Sequence, residues 1–414
     1  DKYHKYFEKY LKQLRDWCES KFSNDRIMAI HQYLVKETVM SDLKNSKLNI
    51  DYRKNEFVKF EVLGCLGSVE TRTWQDLDLY KAWINYYSDK LNNGEEETKL
   101  ETEIDFITGV VAPISIVFPA KIRNSGDKAK IISSNDEYKF QGRFIKATDA
   151  VTLGYYPVQK AFSVLQWLIA RQGYTNGSER IVCWSSTGQP IPDAFDERLN
   201  LFGTENIGKD IDTAESYANS FASALSGYNK NLKPNDSVTI ISLDTADGSF
   251  QGRLAITYYN RLSYSRYLQN INKWYTAGII KLNEKQKEWS GIPSLEEIVS
   301  AAYGIDEGGY LKVQNSNLQK KTIDRLLPCI VQGANFPKDI MLSSVRNCSN
   351  PIRFLKKGET AWKKLLINTC IQIKKVHLEE GRNEIKMESI KISSMRLCGK
   401  AYRNLCTYRY SKVK

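Results

Sequence analysis

Between Lys121 and Gly173 the apolar residues change their period, and that change constrains the class of fold. Up to Ile145 they come in short pieces, Ile131-Ile132, Phe140 and Phe144-Ile145, separated by Ser125-Gly126-Asp127 and by Ser133 to Asp136. Short apolar pieces between turn formers predict short strands. From Pro157 the spacing becomes helical. Val158, Phe162, Leu165 and Ile169 recur on one helical face, Pro157 suits a first turn, and Gly173 ends the run. Strands are expected near 104–111, 114–118, 129–133, 180–184, 238–243 and 254–259, and helices near 157–172 and 213–226. From 263 onward helical signals dominate: Tyr264 to Thr276, Ser294 to Tyr303, Lys321 to Gln332, Lys338 to Asn347 and Glu359 to Leu378. The pattern predicts an α+β fold: a mixed-sheet domain over 1–290, then a mainly helical domain over 291–414.

A helical pair leads the first domain. Tyr3, Tyr6, Phe7, Tyr10, Leu11, Leu14, Trp17 and Cys18 share one face, and a second helix starts at Asn24-Asp25. Aromatics at helical spacing pack more often than they stack on bases, so the stripe is read as core. Val58, Phe60 and Val62 alternate as a half-buried strand, and Thr73 with Asp76 resembles a capping box before a helix ending near Leu91.

Charge supplies the functional direction. The chain carries a formal net charge of +12, which favours a polyanionic partner. Lys121, Arg123, Lys128, Lys130, Lys139, Arg143 and Lys146 crowd one turn-rich segment against Asp127, Asp136 and Glu137, and Lys160 and Arg171 project from the following helix. Arg143 and Arg253 each close a Gln-Gly-Arg step, where glycine lets backbone come close and frees the guanidinium for a bidentate phosphate contact. Each could equally cap a strand end or pair with an aspartate. Asn135 can offer an amide to a base edge or hold its own turn. The candidate nucleic-acid-binding set is thus Lys121, Arg123, Lys128, Lys130, Asn135, Arg143, Lys160, Arg171 and Arg253. A further basic stretch runs from Lys374 to Lys414.

Other chemistries fall short. Gly203 to Asp210 is one residue from a phosphate-binding Walker loop, but Asp210 stands where a Ser or Thr must meet Mg²⁺, so a surface turn is the better account. Asp236, Asp244 and Asp247 flank a strand and could in principle hold metal for phosphodiester cleavage, though a plain turn has the same composition. Eight cysteines form no C-x-x-C pair and only three histidines accompany them, so neither zinc nor a disulfide framework is expected. No catalytic residue, metal or cofactor is assigned. No apolar run is long enough to span a bilayer and no signal peptide opens the chain, which favours the cytoplasm.

A resemblance adds to this. Asp105-x-x-Thr108-Gly109, Lys-Ile-Arg-x-x-Gly-Asp-Lys-Ala-Lys at 121–130, Ser134-Asn135-Asp136, Gly142-Arg143-Phe144 and Trp167 to Gly173 occur in an order that resembles the large subunit of the type I-C CRISPR Cascade complex. Gly252-Arg253-Leu254 with Tyr258-Tyr259, Trp274, Gly291-x-Pro293-Ser294 and Leu326 to Ile330 with Pro337 continue it over nearly the whole chain. The resemblance implies a non-catalytic subunit of a guide-RNA surveillance complex. Its implied partners are CRISPR RNA, target double-stranded DNA, the backbone, 5′-handle-binding and small subunits, and a helicase-nuclease. It also implies a role at the protospacer-adjacent motif and in strand opening, with guide pairing supplying most of the sequence reading. Set against that family, this chain is expected to lack the family's leading segment ahead of Asp1 and most of its C-terminal helical bundle. Where the family has Ser-Gln-Lys-Ala-His, this chain has Val158-Gln159-Lys160-Ala161-Phe162, so any polar role of the first and last positions is lost while Lys160 is kept. Two competing functions remain: a metal-dependent nuclease using carboxylates near Asp244, and an assembly protein whose basic face meets only acidic proteins.

Overall fold

Helices and antiparallel strands fall largely into separate runs, as in an α+β protein, in a computed structural model that describes residues 2–46, 58–64, 70–93, 100–133, 147–195, 225, 227–228, 236–277, 280–283, 288–290, 292–350 and 359–381. Two compact units result, residues 1–116 with 134–158, and residues 117–133 with 159–414.

The first unit holds α1 (Lys2–Cys18), α2 (Asp25–Val35), α3 (Val39–Asn45), α4 (Leu77–Asn93), the two-stranded antiparallel pair β1 (Thr102–Ile104) and β2 (Val111–Pro113), and the short α5 (Ala147–Ala150). Its core joins Leu14 and Trp17 of α1 to Ile27, Ile30 and Leu34 of α2 and Leu79 and Tyr86 of α4. Trp17 meets the edge of Trp83 at 4.9 Å. The aromatic stripe of α1 is therefore core only in its second half; Tyr6 and Tyr10 face solvent, ahead of the stretch that α2 and α4 cover. Asn24 caps α2 as expected, accepting from Arg26 N. At α4 the cap is Asp76, not Thr73: its carboxylate accepts from Asp78 N and Leu79 N and also pairs with the buried Arg26. Thr73 instead donates to Phe60 O at 2.7 Å, and the strand expected at 58–62 reduces to one bridge between Glu61 and Arg72.

Asp105 organises the turn after β1. Its carboxylate accepts from Ile107 N, Thr108 N, Thr108 Oγ1 and Gly154 N, with Gly109 at φ 72° closing the turn. Burial alone would raise its pKa, but these donors bring it below the ordinary carboxylate value. The strands expected at 104–111 and 114–118 are thus two three-residue strands around this turn, and beyond them Ile114 keeps only a bridge to Gly154.

Helix α6 (Tyr155–Gln172) contributes its first turn to the first unit and the rest to the second. The second unit is built on a four-stranded sheet, β3 (Tyr174–Asn176), β4 (Glu179–Ser185), β5 (Ser237–Thr245) and β6 (Leu254–Ser263), in sequential order and antiparallel throughout. Among the described residues the expected mixed character is confined to a parallel bridge between Lys130 and Arg253 beside β6. Helices α7 (Tyr264–Thr276), α8 (Leu295–Tyr303), α9 (Ser316–Val331), α10 (Lys338–Cys348) and α11 (Glu359–Glu379) follow, with the small pairs β7 (Ile280–Asn283) with β8 (Glu288–Ser290) and β9 (Ile305–Asp306) with β10 (Leu311–Lys312) between them. Ser294 and Glu297 form a reciprocal capping box at α8.

Residues on both sides of position 290 contribute to one core. One cluster joins Ile181 of β4, Val238 and Ile240 of β5, Tyr267 and Trp274 of α7, Ile298 of α8 and Leu326 of α9, so sheet and later helices share a core. The phenols of α7 help fasten it: Tyr264, Tyr267 and Tyr275 donate to the carbonyls of Pro190, Pro192 and Ala194.

Candidate nucleic-acid interface

The basic segment at 121–130 folds around an aspartate. Asp127 is fully buried, and its carboxylate accepts from Arg123 N, Arg123 Nε, Arg123 Nη2 and Ala129 N, all between 3.0 and 3.1 Å. Asn124 Oδ1 accepts from Gly126 N, and Lys121 N donates to Asp127 O. Lys121 sits at φ 62°, a left-handed conformation that non-glycine residues seldom adopt and that this over-determined turn sustains. Burial would raise the Asp127 pKa, but Arg123 and the backbone donors bring it below the ordinary carboxylate value.

Arg123 cannot serve a phosphate in this arrangement. Besides Asp127, its Nη1 donates to Ser178 O at 3.0 Å and Asp244 Oδ1 at 3.3 Å, and its Nη2 to Ser249 O at 2.8 Å. A guanidinium has five N–H donors, and protein acceptors occupy all of them. Its side chain is 0% exposed and lies 4.7 Å from the ring centroid of Phe250. The sequence expectation for Arg123 is corrected accordingly: it ties the 121–130 loop to the sheet.

What Arg123 anchors, the backbone extends. Lys128 N donates to Phe250 O, Lys130 N to Gly252 O, and Leu254 N to Lys130 O, laying residues 128–130 parallel to the entry of β6. Alternate strand residues share a face and bridge partners lie side by side. Ala129 and Leu254 are buried on the inner face, so Lys128, Lys130 and Arg253 belong to the outer one. Lys128 and Arg253 are exposed and Lys130 half-buried; Lys121 is exposed at the preceding corner. Four of the nine candidate residues thus gather on one loop and one sheet corner. Asn135 and Arg143 lie outside the described residues, as does the Gly203 to Asp210 loop.

Lys160 and Arg171 are exposed near the two ends of the α6 portion in this unit, and Gln166 Nε2 holds α6 to the basic loop through Ala120 O at 3.0 Å. Arg171 stacks on Trp167, its guanidinium carbon 4.9 Å from the ring centroid. Trp167 is 54% exposed, a feature the helical periodicity already implied, since it falls off the Val158–Phe162–Leu165–Ile169 face.

Asp244 is committed elsewhere. It accepts from Ser178 Oγ at 2.7 Å and Arg123 Nη1, and pairs with Lys320 of α9, a partner no sequence signal indicated. Asp247 accepts from Ser249 N, as a turn residue does. No cluster of three or more His, Cys, Asp or Glu side chains among the described residues is placed to hold a metal ion. Next to this network Glu179 accepts from Asn176, Ser242 and Thr257 side chains, and Asn176 also reaches Asp324 Oδ1 at 3.3 Å. Burial, then hydrogen bonding to Glu179 and its charge, push the Asp324 carboxyl up to about 7, against Lys320 and Asn176.

One lysine at the start of the C-terminal basic stretch is not at the surface. Lys375 is buried, 3.3 Å from Glu379 and 4.3 Å over the Trp274 ring, and burial lowers its pKa. Residues 382–414 of that stretch lie outside the described residues. No helix among the described residues is long and apolar enough to cross a membrane.

No curated protein sequence matches the chain significantly. A family described as CRISPR-associated protein (Cas_Csd1) matches residues 1–398. That match spans the Asp105 turn, the basic loop, α6, the sheet and the helices behind it, and the chain belongs to the CRISPR-associated Cas_Csd1 family.

Proposed function

We propose that this chain is a non-catalytic large subunit of a type I CRISPR RNA-guided surveillance complex. It grips the backbone of guide RNA and target DNA, contributes to reading the protospacer-adjacent motif and opening the strands, and helps recruit the helicase-nuclease. Its site of action is the cytoplasm. The observation that carries the reading is the outward set of Lys128, Lys130 and Arg253 on a backbone-paired corner braced by the buried Arg123–Asp127 pair. Rigid support matters because a phosphate contact gains most when the cation is already positioned. Guide pairing would then supply sequence reading, the protein supplying backbone contacts.

The test is binding of duplex DNA across a salt series by the intact chain. Each phosphate contact contributes about 0.9 to the slope of log affinity against log salt. Lys128→Ala with Lys130→Ala should reduce that slope by about 2 without lowering thermal stability; an unchanged slope removes this corner from the interface. Co-purification with sibling subunits and recovery of a bound small RNA test the assembly. The nuclease alternative is disfavoured because Asp244 is neutralised by Arg123 and Lys320. Nicking of plasmid DNA by the pure chain with Mg²⁺ or Mn²⁺, abolished by Asp244→Ala, would reinstate it.

A further inference from the structure

The outer face of α6 has a composition unlike a solvated helix surface. Lys160, Val164, Trp167 and Arg171 follow one another at helical spacing and are all exposed. The run from Lys160 to Arg171 rises about 16 Å along the axis. No Asp or Glu occurs anywhere between Tyr155 and Gln172. Around Trp167 the exposed neighbours Ser163, one turn before, and Ala170, almost one turn after, are small, so only Val164 and Arg171 put bulk beside the indole. Arg171 already lies over one face of the ring, so a base would take the other or stack on the guanidinium plane.

From these features we infer that the Lys160–Arg171 face of α6 is a stacking platform for single-stranded nucleic acid, with Trp167 and Arg171 taking a base and Lys160 a phosphate. The inference rests on the nucleic-acid reading above and adds a separate site with its own ligand. An indole standing on a convex helix cannot reach the face of a base inside an intact duplex, because neighbouring base pairs cover both faces. Unpaired bases offer that face, and aromatic and Arg planes take it with little sequence preference. The acid-free helix excludes the repulsion that a phosphate chain would otherwise meet. Gln166 fastens α6 to the 117–121 segment that leads into the basic loop.

The experiment is fluorescence anisotropy of the intact chain with a labelled oligo-dT, and separately with a labelled mixed-sequence duplex. Trp167→Ala should weaken oligo-dT binding roughly 5- to 150-fold, the range for loss of one stacked base, and leave duplex affinity within about twofold. Trp167→Phe should recover most of the loss because it restores a π face; Arg171→Lys should recover charge without stacking and stay weak. A wild-type oligo-dT affinity that Trp167→Ala leaves unchanged overturns the platform, even where the Lys128/Lys130 variant still weakens duplex binding and the broader reading stands. If Trp167→Ala instead spares oligo-dT and breaks co-purification with sibling subunits, the face is a protein-docking surface and the inference is wrong. Absence of binding to either probe by the wild-type chain overturns both readings.

Discussion

Arg123 and Arg171 are the same side chain, 48 residues apart in one basic region of one unit, and they do opposite things. Arg123 lies beneath the loop that the cations advertise, with every donor taken by Asp127, Asp244 and two carbonyls. Arg171 lies on the outside of a helix with its guanidinium against an indole. The difference comes from what the local backbone offers. A turn closing at Asp127 presents a carboxylate four residues from Arg123, whereas α6 carries no acid at any spacing from Arg171. A basic composition therefore divides into cations that build the surface and cations that use it.

The comparison is broken most sharply by removing Arg123. Arg123→Ala leaves Asp127 and Asp244 charged and buried, a loss of about 3–5 kcal/mol when one partner of a buried pair is deleted. Urea unfolding should read it, and Arg123→Lys should restore little, because one ammonium cannot replace a planar fork of donors. A stable Arg123→Ala chain that merely binds nucleic acid less would place Arg123 with Arg171 and void the distinction.

A smaller effect concerns the carboxyls behind the same network. Asp324 holds its proton up to about pH 7 in the folded chain, against an ordinary value of 3.8. Between those pH values the folded state binds more protons than the unfolded one, so its contribution to stability is full below about pH 4 and is lost as pH rises through 7. Asp324→Asn should remove that slope and make the chain more stable at pH 8 by about 1–2 kcal/mol, a figure reduced from full linkage because the carboxyl is half open to water. Thermal midpoints from pH 5 to 8 decide it; an unaltered slope would show that Asp324 is not the group that sets it.

Smaller still should be the stability change in Arg171→Ala, within about 0.5 kcal/mol as for ordinary surface positions. Its binding loss should be seen only with single strands. A large drop in melting temperature would mean that Arg171, like Arg123, is structural.

Much of the fold was legible from local pattern. The strands at 179–185, 237–245 and 254–263 and the helices from 264 onward fall where alternation and helical period put them, because both signals are carried by contiguous residues. The family resemblance was legible for the same reason, as ordered motifs. Misreadings cluster where a partner from far along the chain decides. Thr73 lost the α4 cap to Asp76, which Arg26 also holds from 50 positions away.

By itself the sequence determined the α+β class, most helix positions, the excess of positive charge and the family, since each depends on composition or on neighbours within a few residues. Only the tertiary structure decided which cations face outward. Arg123 meets Asp244 across 121 positions and Asp244 meets Lys320 across the sheet, while Lys128, Lys130 and Arg253 share a face through a bridge no local pattern encodes. Whether a charge is neutralised or available is set by the acceptors folding brings within 3 Å or so of it, and those acceptors are chosen by topology.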